Sequence, residues 1–195
     1  MKRTELLLSG VSASFFLLYL LGGVGMSLFM MLSLSLLGAL YAYLGFAHLN
    51  GVRMAQVFKK EAYSSIRFTD ILIGIFGGIG MAAIINSVLF AIMLWPGRGF
   101  LFVSGSIFLG IAIVMAFVLS GTYPLLKERL VKRVAIYMVF GGLFYVIPAG
   151  FWFSIRYRNN PEYVEAMIEH YNNPSKENAE KLDQVTEEML RNSEK

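Results

Sequence analysis

Residues 6–46 read LLLSGVSASFFLLYLLGGVGMSLFMMLSLSLLGALYAYLGF, 41 residues without one charged side chain. The hydrocarbon core of a bilayer is roughly 30 Å thick and a helix rises about 1.5 Å per residue, so about 20 apolar residues make one crossing. The run is twice that length. Its Gly22-Gly23-Val24-Gly25 cluster is the natural place for a tight turn, which predicts two helices over about 5–22 and 26–48. A glycine-rich bend also suits a re-entrant hairpin that never crosses, and a four-span bundle stands as the alternative to five.

The rest of the chain extends the pattern. Of 195 residues, 56% are hydrophobic and only 15% are charged, against about 25% charged in soluble domains, and the mean hydropathy is +0.60. That is more apolar surface than one soluble core of this length hides. A third span is expected over about 70–95, from Asp70 as N-cap to the Trp95-Pro96-Gly97 break. A fourth runs over about 100–123, ending before Pro124, and a fifth over about 134–155, where Pro148 among Gly141, Gly142 and Gly150 predicts a kink. The fold class is therefore all-α: a polytopic transmembrane bundle over 1–158, followed by a short amphipathic helical tail over 159–195. The basic start before the first apolar run resembles a signal peptide, but the run continues past the usual length without a small-residue cleavage site, so an uncleaved first span is expected.

Charge separates the two parts. Residues 1–158 hold 13 Lys and Arg against 4 Asp and Glu, whereas 159–195 hold 4 against 9. The basic residues of the first part sit in short segments beside apolar runs, where they set topology; they are no argument for nucleic acid. Lys2 and Arg3 precede span one, Arg53, Lys59, Lys60 and Arg67 separate spans two and three, and Lys127, Arg129, Lys132 and Arg133 separate spans four and five. The opposite connections carry only Arg98. The positive-inside rule then places the N-terminus in the cytoplasm and the tail outside, in what reads as a bacterial cytoplasmic membrane.

Residues 52–68 place Met54, Ala55, Phe58, Ala62 and Ile66 on one helical face and Arg53, Lys60 and Arg67 on the other. This predicts either an amphipathic helix with its basic face on anionic headgroups or a solvated loop. In the tail, Asn160-Pro161 opens a helix with Val164, Met167, Ile168 and Tyr171 at i, i+3, i+4 and i+7. After Asn173-Pro174 a second helix is expected from near Ser175. Val164, Ile168 and Tyr171 are the candidate partner-docking residues; packing of the two helices on each other is the alternative use of that face.

Small residues recur at four-residue spacing: Gly38 and Ala42, Gly74 and Gly78, Ser106 and Gly110. In lipid, such positions let backbones approach and drive helix association. They serve either a partner or homo-oligomer interface or packing inside one bundle. Asn86 is the one strongly polar side chain well inside an expected span, and with Tyr137 and Tyr145 it forms a candidate cavity lining or interhelical hydrogen bond. No ionisable group is expected near the bilayer midplane, where transporters keep one.

No HExxH, GxSxG or P-loop occurs, and cysteine is absent. No catalytic residue, metal or cofactor is proposed on sequence. His48, Asp70 and Arg98 could build an interfacial lipid enzyme only if they converged. The sequence thus points to a noncatalytic accessory or assembly subunit that packs on a membrane partner. The alternative is a small transporter or channel component for a neutral or lipidic substrate.

Overall fold

The computed structural model describes residues 2–23, 25–119, 124–148 and 150–193, and among these the chain is all-helical, with no strand. The α-helices are α1 (Lys2–Leu20), α2 (Met26–Leu49), α3 (Phe68–Ile92), α4 (Arg98–Leu119), α5 (Pro124–Val146), α6 (Phe151–Arg156), α7 (Pro161–Asn172) and α8 (Lys176–Ser193). Four of them, α1 to α4, are long and apolar enough to cross a membrane.

The turn between α1 and α2 falls on the glycine cluster, where Gly22 and Gly25 take φ of 91° and 72°. A side chain rarely adopts that left-handed region, and glycine does so freely. Val24 lies outside the described residues. At the other end of α2, Asn50 Nδ2 donates to the Phe46 carbonyl at 2.7 Å and to the Asp70 carbonyl at 2.9 Å, which ties the end of α2 to the start of α3.

Residues 52–68 do not form the amphipathic helix. Two short 3-10 turns, Met54–Gln56 and Lys60–Tyr63, stand there instead. Val52 and Val57 are buried against Ala47 at the end of α2, and the Tyr63 hydroxyl donates to the Val57 carbonyl at 2.8 Å. The segment folds over the bundle's end to bury those valines, and Phe58, on the expected apolar face, is left 97% exposed. α3 starts earlier than expected, with Arg67 as its N-cap; Asp70 lies inside the first turn, 2% exposed, and pairs with Arg67 at 3.2 Å. A carboxylate there complements the free N–H groups of the helix start.

α3 is the hub, packed on α2, α4 and α5. Gly78 faces Gly45 of α2 so closely that a Cβ on Gly78 would lie 2.5 Å from the Tyr41 carbonyl oxygen. On its other side, Gly80 receives Leu109 and the Gly105 backbone of α4. Ile73, Met81 and Ile84 of α3 are fully buried, and Leu109, Ala112 and Ala116 form the buried stripe of α4. α4 closes at Leu119, and the expected last turn at 120–123 lies outside the described residues.

The fifth apolar run differs most from expectation. The basic stretch 127–133 is not a loop: it lies within the first half of α5, and Lys132 pairs with Glu128 one turn back at 2.6 Å. Nor does the helix kink at Pro148. It stops at Val146 and resumes as α6 at Phe151, so 134–155 is no single helix. A proline removes its own N–H and disfavours helical geometry at the preceding residue, Ile147, which is enough to end the helix there.

α5 nevertheless runs the length of the bundle. Its Arg133 meets Glu5 at the start of α1. Just beyond its other end, the Ile147 carbonyl accepts from Arg98 at the start of α4 at 3.2 Å, and Arg156 of α6 donates to the Gly23 carbonyl at 3.3 Å. At 23 residues α5 is about 34 Å long, but five charged side chains fall between 127 and 133, and it is not among the helices apolar enough to cross. Beyond it, α7 and α8 pack on each other, and α7 touches α6.

Candidate functional site

Three helices bring polar side chains to the end of the bundle where α1 begins. Glu5 sits on the first turn of α1, Tyr41 and His48 stand seven residues apart on one face of α2, and Arg133 comes from the third turn of α5. Arg133 holds the Glu5 carboxylate as a fork, with Nη2 at 2.8 Å from Oε2 and Nε at 3.1 Å from Oε1. The Tyr41 hydroxyl donates to Oε1, and His48 Nε2 lies 2.8 Å from Oε2. Bidentate guanidinium–carboxylate geometry is the strongest form of such a pair.

His48 Nε2 also lies 3.1 Å from Arg133 Nη2. One ring nitrogen serves only one of these neighbours: protonated it donates to Glu5, and bare it accepts from Arg133. The Tyr41 ring packs edge-on against His48 and Tyr137, with centroids 5.7 and 5.2 Å away. The cluster is close to dry, with side-chain exposures of 3% for His48, 13% for Glu5 and 15% for Arg133. Its carboxylate is fully engaged by its own neighbours, so its chemistry is that of a clamp between α1, α2 and α5.

Beside the clamp opens a cleft of about 800 Å³. Arg53, Arg129 and Lys132 form its basic rim, while Leu6, Ser9 and Ile136 line it one turn deeper along α1 and α5. α1 packs along α2 and reaches α6, but it has no comparable backbone packing with α5. Glu5–Arg133 joins α1 to α5 at this end, and Phe16 packs edge-on against Phe144 further along the same two helices.

The residues singled out from sequence are distributed as follows. Gly74 abuts the Phe46 backbone and Gly78 the Gly45 backbone, while Gly38 faces Asn86 across the same α2–α3 contact. Ser106 lies toward α5, 3.6 Å from the Met138 sulfur, whereas Ala42 is exposed and Gly110 faces open space. Asn86 donates to the Ala82 carbonyl of its own helix at 2.8 Å. Tyr137 joins the clamp, and Tyr145, 44% exposed, stacks on Phe102 with centroids 4.6 Å apart. Asn86, Tyr137 and Tyr145 are not gathered into one cavity. Arg53 lines the basic cleft, Lys60 is exposed on the second 3-10 turn, and Arg67 pairs with Asp70. His48, Asp70 and Arg98 do not converge, since each is held by a different partner.

In the tail, Val164 and Ile168 line a second cleft, of about 750 Å³, with Tyr157 of the α6–α7 junction and Lys181 of α8. Ile168 packs directly on Gly150, and Tyr171 is half-buried. Lys181 bonds Glu169 at 2.6 Å, and that carboxylate raises its ammonium above the ordinary lysine range.

The clamp was the part sequence reasoning missed. Its signal is a helical repeat of polar residues inside apolar segments: Glu5 and Ser9, Tyr41 and His48, Arg129, Arg133 and Tyr137. Reading 127–133 as a loop hid the third member. These features define an all-helical protein compatible with a bilayer, with a charged centre that joins α1, α2 and α5. No protein-family model matches the chain, and no curated protein or solved structure matches it.

Proposed function

We propose that the protein is a noncatalytic accessory or assembly subunit of a bacterial cytoplasmic membrane, crossing it five times, with the basic end in the cytoplasm and the tail outside. The tail carries this reading: α8 packs on α7 and has no comparable contact with the bundle. Its outer face is left acidic, with Glu177, Glu180, Asp183, Glu187 and Glu188 exposed. A folded helix pair that adds little to the bundle's own packing is available for a partner, and its charge suits a basic surface on that partner. The fully engaged clamp fits a structural role better than a catalytic one. The glycines Gly38, Gly74 and Gly78 are spent inside the chain, which shifts the partner contact from the small-residue helix faces toward the tail.

Affinity purification in mild detergent tests this. The full chain is expected to bring down one stoichiometric membrane companion, and a chain ending at residue 158 is expected to lose it. Recovery of the full chain alone, or retention of the companion by the truncated chain, overturns the assignment to the tail.

A further inference from the structure

The basic cleft beside the clamp has a chemistry that the clamp does not use. We propose that it binds an anionic phospholipid, with the headgroup phosphate taken between Arg53 and Arg129 and the acyl chains leaving along Leu6 and Ile136. The proposal rests on the chain crossing a membrane.

Charge is the first argument. Four cations line the cleft against two acids, Glu5 and Glu128. Glu5 is bound by Arg133 and Glu128 by Lys132, at 2.8 and 2.6 Å, so Arg53 and Arg129 supply the excess. Arg129 reaches from α5 to the turn that follows α2, and its guanidinium lies over Gly51, where any Cβ would collide with it. Gly51, at φ 80°, is thus what allows Arg129 to approach the segment carrying Arg53. Paired guanidinium forks are suited to phosphate oxygens.

The walls are the second argument. Leu6 and Ile136 are 63% and 62% exposed directly below the basic rim. α1 and α5 are joined at this end by Glu5–Arg133, and the cleft lies between them and the 51–53 turn. A soluble phosphate would use the rim alone. A lipid uses both the rim and the apolar walls, and a headgroup at this depth stays level with the start of α1.

The test uses the full chain in maltoside micelles and a fluorescent short-chain phosphatidylglycerol. Saturable binding is expected, with phosphatidylcholine of the same chain length at least about tenfold weaker as a competitor and glycerol phosphate ineffective. Each basic group near an anionic headgroup is worth about fivefold in affinity. Arg53→Gln, on the exposed loop, should therefore weaken binding about fivefold without moving the unfolding midpoint, and Arg53→Gln with Arg129→Gln about twentyfold. Equal competition by phosphatidylcholine, or unchanged binding in Arg53→Gln, overturns the proposal. So does full competition by glycerol phosphate, which would make the cleft a soluble-anion site. Alkaline carbonate extraction of the protein from membranes separately tests the membrane reading, so the two failures are told apart.

Discussion

Glu5 engages three side chains from two other helices, and each has a different claim on it. Arg133 supplies the compensating charge, Tyr41 fixes one oxygen and His48 lies against the other. Breaking a buried pair by removing one partner leaves the other charge stranded, at about 3–5 kcal/mol, and partial exposure to water lowers that figure. Arg133→Gln or Glu5→Gln should each cost about 2 kcal/mol in detergent unfolding, while the double variant should cost less than the sum, because neither charge is then left alone. Strict additivity in that cycle would mean that the pair does not couple. None of this was visible from charge counting, which treats Glu5 and Arg133 as markers of helix ends. The pairing spans 128 residues of sequence, and only the packing of α1, α2 and α5 makes them neighbours.

Helix contacts distinguish glycines that sequence spacing treats alike. Gly78 and Gly110 both stand in small-xxx-small pairs, yet one is pressed on α2 and the other faces nothing within 4 Å. Gly78→Ala forces α2 and α3 apart at the Tyr41 carbonyl and should destabilise by about 1–3 kcal/mol, as overpacked cores do. Gly110→Ala should stay within about 0.5 kcal/mol of the parent. Thermal unfolding of both in one detergent checks the contrast, and equal shifts would refute it. The α1–α2 turn, α3, α4 and both tail helices were legible to within a few residues, because apolar length, glycine and proline dictate them locally. The 52–68 segment and α5 were not. Their sequences have acceptable helix and loop patterns respectively, and burial of Val52 and Val57 in one case and the Lys132–Glu128 and Arg133–Glu5 pairs in the other decide against the local reading.

Across the whole molecule, α5 carries the chain from the clamp end toward the α1–α2 turn, and the five-crossing proposal places the two ends of the chain on opposite faces of the membrane. A cysteine-free protein makes this simple to measure. Lys60→Cys and Leu190→Cys, both at exposed positions, should react with an impermeant maleimide from opposite faces of sealed vesicles. Labelling from the same face would remove the five-crossing reading and with it the exterior tail.

The long reach of Glu5 has a consequence for how the protein is made. α1 holds an acid whose countercharge is made only with α5, 128 residues later. Until then Tyr41 and His48 are its only clamp neighbours. The α1–α5 contact therefore closes only once residue 133 has been made, and α6, which also packs on α1, follows it.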